Sequence, residues 1–220
     1  MKIIDVIQGT DDWHAVRASH FTASEAPAMA GVSKYTSRSD LLKLKYSGLI
    51  PDVSASQQRL FDKGHAAEAA ARPMAEEIIG EDLYPVTGES DEHPHLLASL
   101  DGCTMLEGVI WEHKLINADL RHATADSLDE HYKVQIDQQL LVSGAEKCLF
   151  MASDGTKENC NWFWYTSTQA RFDSLLAGWT QFADDLANYQ PKEQKVAAQG
   201  EAPDQLPALR IDLTGAVTAS

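Results

Sequence analysis

Residues 98–114 read ASLDGCTMLEGVIWEHK, and this stretch predicts a β-hairpin. An apolar strand approaches a turn near Asp101, and a second, strongly β-prone strand ends in Glu112, His113 and Lys114, where a buried strand should stay apolar. Side chains alternate along a strand, so Glu112 and Lys114 project from one face and His113 from the other. Asp101 can lie beside them across the hairpin, so two carboxylates and a lysine converge at one point.

A Glu-x-Lys pattern alone is most simply a cross-strand ion pair. Here an aspartate stands on the strand before it, and the combination resembles the signature of the PD-(D/E)xK nuclease superfamily. The residue types suit that chemistry, because carboxylates are hard oxygen ligands for Mg²⁺, which keeps several waters and contacts substrate phosphate. The ammonium can orient or help deprotonate the attacking water and offset developing charge.

The chain has 220 residues, 44% of them hydrophobic, which is enough for one sizeable core. We expect one domain over residues 1–190 and an extension over 191–220, in which an alternating segment at 206–217 could add an edge strand to this chain or a neighbour. No run reaches the length of about 18 apolar residues expected of a membrane span, and no signal peptide is expected. The 3 cysteines predict reduced thiols in a cytosol.

The net charge of −15 taken alone argues against a nucleic-acid binder, because phosphate contacts usually come from a basic surface. A bound divalent metal can reverse the sign of the local field, however, so net charge does not decide the matter.

The order of elements predicts an α/β fold, with a sheet carrying helices on both faces. Strands are predicted at 2–7, 83–86, 96–100, 109–115, 147–152 and 161–166. Helices are predicted at 11–18, 39–46, 56–79, 132–143 and about 172–189, with a further short helix entered at 21–25. Asp11 is the expected N-cap of the first helix, and Ser24 that of the short one, whose N-terminus would suit an anion.

The long helix over 56–79 carries an apolar stripe at helical spacing, and Pro73 is expected to kink or split it. The stripe comprises Phe61, Gly64, Glu68, Ala71, Ala75 and Ile78. Glu68 either reaches water from the edge of this face or lies inward, and an inward carboxylate needs a cation or a metal beside it.

Five motifs in order extend the resemblance. They are Trp13-x-x-x-Arg17 with Thr22-Ala23-Ser24, Gly64-x-x-x-Glu68, Ser99-Leu100-Asp101-Gly102, Glu112-x-Lys114 and Tyr132-x-x-Gln135. Together they resemble the phage lambda exonuclease (YqaJ-type viral recombinase) family over residues 8–189, within the PD-(D/E)xK superfamily and its restriction-endonuclease-like core, a mixed central sheet flanked by helices. Leu100 stands where the family motif has proline.

The resemblance implies a catalytic site. Asp101, Glu112 and the backbone carbonyl of His113 would bind Mg²⁺, with Mn²⁺ an alternative, and Glu68 would support a second ion or its waters. Lys114 would act on the nucleophilic water, and Gln135 would help to hold that water or Lys114.

It also implies contacts with the DNA end. Arg17, Ser24 and Ser99 would form a pocket for the terminal 5′-phosphate, and Leu60 or Phe61 would be the wedge that splits the duplex, although Phe61 could equally belong to the core.

The implied activity is 5′→3′ degradation of one strand of linear duplex DNA to mononucleotides, leaving 3′ overhangs for a single-strand annealing protein. The implied assembly is a ring-shaped homotrimer in the cytoplasm of a bacterial host, encoded by a phage or prophage. Two alternatives stay open: another PD-(D/E)xK enzyme, either Cas4-like or a structure-specific endonuclease, and a non-catalytic protein that binds DNA ends.

Overall fold

The hairpin of residues 98–114 forms the middle of a mixed sheet in the computed structural model, which describes residues 1–48 and 54–191. Met1–Tyr189 forms one unit, and Gln190 begins a second. The extension predicted over 191–220, with its edge strand at 206–217, lies outside the described residues apart from Pro191. Within the described part of the chain, no helix is long and apolar enough to span a membrane.

The strands are β1 (Lys2–Ile4), β2 (Phe21–Thr22), β3 (Tyr84–Glu89), β4 (Leu96–Cys103), β5 (Val109–Leu115), β6 (Lys147–Ser153) and β7 (Cys160–Tyr165). The helices are α1 (Asp11–Ala18), α2 (Ala26–Met29), α3 (Arg38–Ser47), α4 (Ala55–Ile79), α5 (Glu130–Ser143) and α6 (Gln169–Ala187). Short 3₁₀ turns cover Ala23–Glu25 and Leu120–His122.

The sheet runs in the order β1-β3-β4-β5-β6-β7, and β2 pairs with β4. The β5–β6 and β2–β4 pairs are parallel and the other pairs antiparallel, so the sheet is mixed. The parallel β5–β6 pair is joined through α5, as a parallel connection requires a crossover.

The alternation of side chains divides the core between the two faces of the sheet. One face packs against α5 and α6, and its strand residues include Ile110, Cys148, Phe150 and Ala152. The other face packs against α4, and its strand residues are Trp111, Leu149 and Met151. The prediction of an α/β sheet with helices on both faces is therefore confirmed.

The hairpin turn lies later than predicted. β4 continues through Asp101 to Cys103, and the chain reverses over 104–108, where Glu107 takes a left-handed φ of 57°. Gly102 is needed for close packing rather than for a turn, because a Cβ there would lie 3.0 Å from Leu83 and 3.1 Å from Trp111.

Helix α4 is continuous through Pro73, so a split into two helices, one of the two predicted outcomes, is wrong. The inward stripe is also wrong in its first half, because the buried residues of α4 begin at Ala67 and Phe61 is 48% exposed. Burial of Ala71 and Ala75 against the sheet anchors the second half, which outweighs the loss of one hydrogen bond at proline.

Candidate active site

Glu112 lies at the centre of a hydrogen-bonded cluster between β5 and α5. It is 1% exposed, and its Oε1 is 2.5 Å from the Nζ of Lys114. Gln135 Nε2 donates to Oε1 at 2.7 Å, and Gln139 Nε2 donates to Oε2 at 2.6 Å. Gln135 and Gln139 are one helical turn apart, so they reach the same carboxylate from one face of α5. Both oxygens of this buried carboxylate are therefore paired and its orientation is fixed.

Asp101 lies beside this cluster across the hairpin. Its Oδ2 accepts a hydrogen bond from the backbone amide of His113 at 2.8 Å. The pKa of the Asp101 carboxyl is raised well above its ordinary value, mainly because burial removes its solvation and secondarily because of the negative charges of Glu112 and Glu68. The negative charges of Glu112 and Glu68 thus oppose ionisation of Asp101, an effect that a divalent cation would offset.

The Lys114 ammonium pairs with Glu112 and is also stabilised by the charge of Asp101. Loss of solvation opposes its charged form, but Glu112 and Asp101 outweigh that effect and raise the pKa of Lys114 above its ordinary value. Lys114 is therefore a cation and a hydrogen-bond donor at neutral pH.

The imidazole of His113 points to the opposite face of the sheet, as the alternation predicts. Its Nε2 is 2.8 Å from the hydroxyl of Ser153, and its ring is 5.7 Å from that of Trp111. Burial is the main cause that lowers the pKa of His113 to about 4, and the positive charge of Lys114 is the smaller one. The ring is thus neutral at physiological pH.

Arg72 links the elements that carry the acidic residues, and the sequence reasoning missed it. Its Nη2 donates to the backbone carbonyl of Asp101 at 2.8 Å and to Glu68 Oε1 at 3.4 Å, and its Nη1 donates to the carbonyl of Leu83 at 3.2 Å. Its guanidinium lies 5.1 Å from the centre of the Trp111 ring. Glu68 is only 22% exposed, and Arg72 is the cation that an inward carboxylate requires. The spacing of Arg72, four residues after Glu68, was the available signal.

The donor chemistry of this cluster fits a hard divalent cation. Among residues 1–48 and 54–191, no three His, Cys, Asp or Glu side chains are grouped so that they could hold a metal together. Mg²⁺ does not need such a group, because it is commonly bound by one or two carboxylates and keeps several waters. This requirement would be met by the carboxylates of Asp101 and Glu112, a backbone carbonyl such as that of His113, and water. Glu68 could accept hydrogen bonds from the metal-bound waters.

A second polar cluster brings Arg17, Ser24 and Ser99 around Trp13. Arg17 Nη2 donates to Ser24 Oγ at 2.9 Å, and Trp13 Nε1 donates to Ser99 Oγ at 3.0 Å. The Arg17 guanidinium stacks 4.4 Å from the centre of the Trp13 ring, and Thr87 Oγ1 is 3.1 Å from Ser99 Oγ. Three residues from α1, the Ala23–Glu25 turn and β4 thus meet through a tryptophan whose linking role was not foreseen.

The predicted N-cap at Ser24 is wrong. Thr22 caps the Ala23–Glu25 turn and forms a capping box with Glu25, and α2 has only four residues. Asp11 is likewise not a cap, because the hydroxyl of Thr10 caps α1. Anion binding at a helix N-terminus therefore has no basis here, and a phosphate would rely on the guanidinium and the hydroxyl groups.

The side chains proposed as a wedge are exposed, Leu60 by 58% and Phe61 by 48%. A core role for Phe61 is therefore wrong. In the loop before α3, Lys34 pairs with Asp129 at 3.0 Å, and Arg38, at the start of α3, pairs with Asp185 at 2.7 Å.

Comparison with known proteins shows a family to which this sequence belongs. Residues 12–146 match the YqaJ-like viral recombinase domain. No curated protein matches the sequence.

Solved exonuclease structures share the fold. Two crystal structures of the alkaline exonuclease LHK-Exo from Laribacter hongkongensis, one of them in complex with dAMP, superpose with TM-scores of 0.66 and 0.67 at 20% identity, covering 81% of this chain and 93% of that one. A phage-related exonuclease from Haemophilus somnus 129PT superposes with a TM-score of 0.55 at 12% identity, covering 79% of this chain and 98% of that one.

Proposed function

The chain belongs to the YqaJ-like viral recombinase family and has the PD-(D/E)xK nuclease fold, and from that premise we propose that it is a metal-dependent exonuclease that degrades one strand of linear duplex DNA in the 5′→3′ direction. The observation that carries the proposal is the buried Glu112 carboxylate, clamped by Lys114, Gln135 and Gln139 beside Asp101. This arrangement has little structural use at the end of a core strand, because burying charges costs free energy.

Each residue has a distinct role in the proposal. Asp101 and Glu112 hold Mg²⁺, or Mn²⁺ in its place, and Glu68 orients waters or supports a second ion. The metal, when bound, acidifies a water and stabilises charge on the scissile phosphate. Lys114 donates to the attacking water and offsets the charge that develops. Gln135 and Gln139 keep Glu112 in one orientation.

Preference for a 5′-phosphate is assigned to the cluster around Trp13. Arg17 presents a planar guanidinium that matches phosphate geometry, and Ser24 and Ser99 present hydroxyl donors. A terminal phosphate held there would define which nucleotide reaches Lys114, which favours an end-dependent exonuclease over an endonuclease.

Strand separation is assigned to Leu60 and Phe61, because exposed apolar side chains on the free half of α4 can insert between bases. Replacing both with alanine is expected to slow degradation of blunt duplex ends and to leave frayed ends little affected. An equal loss on both substrates would contradict this role.

Family membership also supports a ring-shaped homotrimer in the bacterial cytoplasm that passes 3′ overhangs to a single-strand annealing protein. Native mass spectrometry is expected to give a species of three times the 24.2 kDa chain mass. A monomer at all concentrations would remove the ring from the proposal.

The test of activity uses linear duplexes with 5′-phosphate or 5′-hydroxyl ends, with closed circles as a third substrate, in Mg²⁺ or in EDTA. Lys114→Ala is expected to abolish release of mononucleotides, and Arg17→Ala to remove the preference for the phosphorylated end. Lys157→Ala is the matched control, because it breaks an exposed lysine–carboxylate pair with Glu77.

Equal cleavage of closed circles would make the protein an endonuclease and refute end recognition. Binding of ends without cleavage in any divalent metal would favour the non-catalytic alternative. Activity retained by Lys114→Ala would refute its assigned role.

A further inference from the structure

Tyr35 is the most exposed aromatic side chain among the described residues, at 80%. It lies in the loop between α2 and α3, and its backbone is held by a local turn in which the hydroxyl of Ser33 accepts hydrogen bonds from the amides of Tyr35 and Thr36, each at 3.2 Å. A large apolar ring is thus presented to solvent on a backbone that is fixed locally.

The ring of Tyr35 packs against the imidazole ring of His131. The two ring centres are 5.3 Å apart at an angle of 77°, an edge-to-face contact. His131 is 8% exposed, and its Nδ1 is buried with no hydrogen-bond partner among residues 1–48 and 54–191. Buried polar atoms are normally paired, so this unpaired nitrogen directly beneath an exposed aromatic ring needs an explanation.

The pair lies beside the candidate active site. His131 precedes Gln135 by one turn of α5, and Gln135 donates to Glu112. Lys114 and Lys34 are both close enough to act on the imidazole of His131, and Lys34 is fixed by its contact with Asp129. Both ammonium groups are paired, Lys34 with Asp129 and Lys114 with Glu112, so Tyr35 lies next to the residues of the candidate site rather than on a positive patch.

We propose that Tyr35, supported by His131, is a stacking contact for a nucleobase of the strand that enters the site at Lys114. The inference rests on the proposed function and adds a specific contact to it. An exposed ring with a fixed backbone loses little entropy on stacking, and every base offers a π face. Movement of the ring toward a base would also open His131 Nδ1 to a hydrogen bond from the nucleotide or its water.

The expected effect follows from the usual strength of base stacking. Loss of one such contact weakens binding by about 5- to 160-fold, without dependence on base identity. Tyr35→Ala is therefore expected to raise the Kd for the DNA end and the KM for degradation, with a smaller change in kcat. Tyr35→Phe keeps the ring and is expected to restore both.

The decisive experiment combines the variant with an abasic nucleotide placed at successive positions of the 5′-phosphorylated strand. Binding is measured in EDTA by fluorescence anisotropy, so it does not depend on cleavage. In the wild type, one abasic position should weaken binding as much as Tyr35→Ala does, and the variant should lose nothing further at that position. Tyr46→Ala, which removes an exposed tyrosine that packs on Tyr189, is the matched control.

The proposal is overturned if the abasic substrates lose the same affinity in the wild type and in Tyr35→Ala, because the ring then contacts no base. It is also overturned if Tyr35→Phe behaves like Tyr35→Ala. Failure of the proposed function gives a different result: the wild type would release no mononucleotides in Mg²⁺. That result does not depend on whether the effects of Tyr35→Ala and of the abasic position on binding overlap.

Discussion

Replacement of Arg72 by methionine is expected to destabilise the protein and to weaken metal binding together. Methionine keeps the apolar stem of the side chain on α4 but removes the donors to the carbonyls of Asp101 and Leu83. Arg72 is 22% exposed, so water can replace only part of what is lost.

The magnitude follows from the contacts. Hydrogen bonds with a charged donor contribute about 1.5–3 kcal/mol each, and a partly exposed ion pair such as the one with Glu68 contributes about 0–1 kcal/mol. Allowing for solvent access, the free energy of unfolding should fall by about 3 kcal/mol, a large part of the roughly 5–15 kcal/mol of a typical domain. Urea denaturation in EDTA measures it. Arg59→Met, on the exposed half of the same helix, should change it by less than about 0.5 kcal/mol.

The second readout is Mn²⁺ affinity, measured by electron paramagnetic resonance. Removal of a cation by itself would tighten metal binding, whereas loss of a partner that orients a ligand typically weakens it by about 10- to 100-fold. Because Arg72 contacts both Asp101 and Glu68, we expect the second effect to win, with about tenfold weaker binding. Unchanged or tighter Mn²⁺ binding in a folded Arg72→Met protein would refute the assignment of Arg72 as a positioning residue.

Three further predictions concern the core and the site. Gln138 is 0% exposed; its Nε2 donates to two backbone carbonyls and its Oε1 accepts from the Trp179 indole, so Gln138→Leu should lower the free energy of unfolding by about 3 kcal/mol. Gln181→Leu, on the exposed face of α6, should lower it by less than about 0.5 kcal/mol. Equal urea midpoints for the two variants would contradict this prediction. Burial raises the pKa of the Cys103 thiol to about 11, so iodoacetamide at mildly alkaline pH should label it only after unfolding, and rapid labelling of the native protein would be inconsistent with its burial. In EDTA, the folded protein retains a proton on Asp101 that the unfolded chain has released, so the free energy of unfolding should fall as pH rises above the ordinary aspartate pKa of about 4. Asp101→Asn should remove this contribution to the fall. Identical pH profiles for the two proteins would show that the pKa of Asp101 is not raised.

Much of the sheet could be predicted because its signals are local. The alternation of β5 fixes which side chains share a face, and Val109–Leu115 is the strand that the pattern indicates. The position of the preceding turn could not be predicted, because Asp101-Gly102 has turn chemistry while Gly102 is required by contacts with Leu83 and Trp111. Sequence alone does not reveal that a glycine is needed for close approach of side chains from other elements.

The candidate site divides in the same way. Asp101, Glu112 and Lys114 could be foreseen because hairpin geometry brings them together. Arg72 and Trp13 act through partners distant in sequence, the carbonyl of Asp101 and the hydroxyl of Ser99, and such contacts exist only once helices have packed on the sheet. The exposure of Phe61 was misjudged for a related reason: helical spacing predicts a face, but not whether another element covers it.

Helix α4 has a further consequence, because its buried residues begin only at Ala67. Residues 55–66 span about 18 Å of helix, and none of them belongs to the core that the described residues form. Isolated helices shorter than about 12–15 residues are marginal in water. Amide hydrogens in this half should therefore exchange with solvent through local fraying, while those from Ala67 onward exchange only in larger openings. A DNA end or a second subunit lying along residues 55–66 would slow that exchange, so amide protection there reports occupancy of the surface without requiring any catalysis.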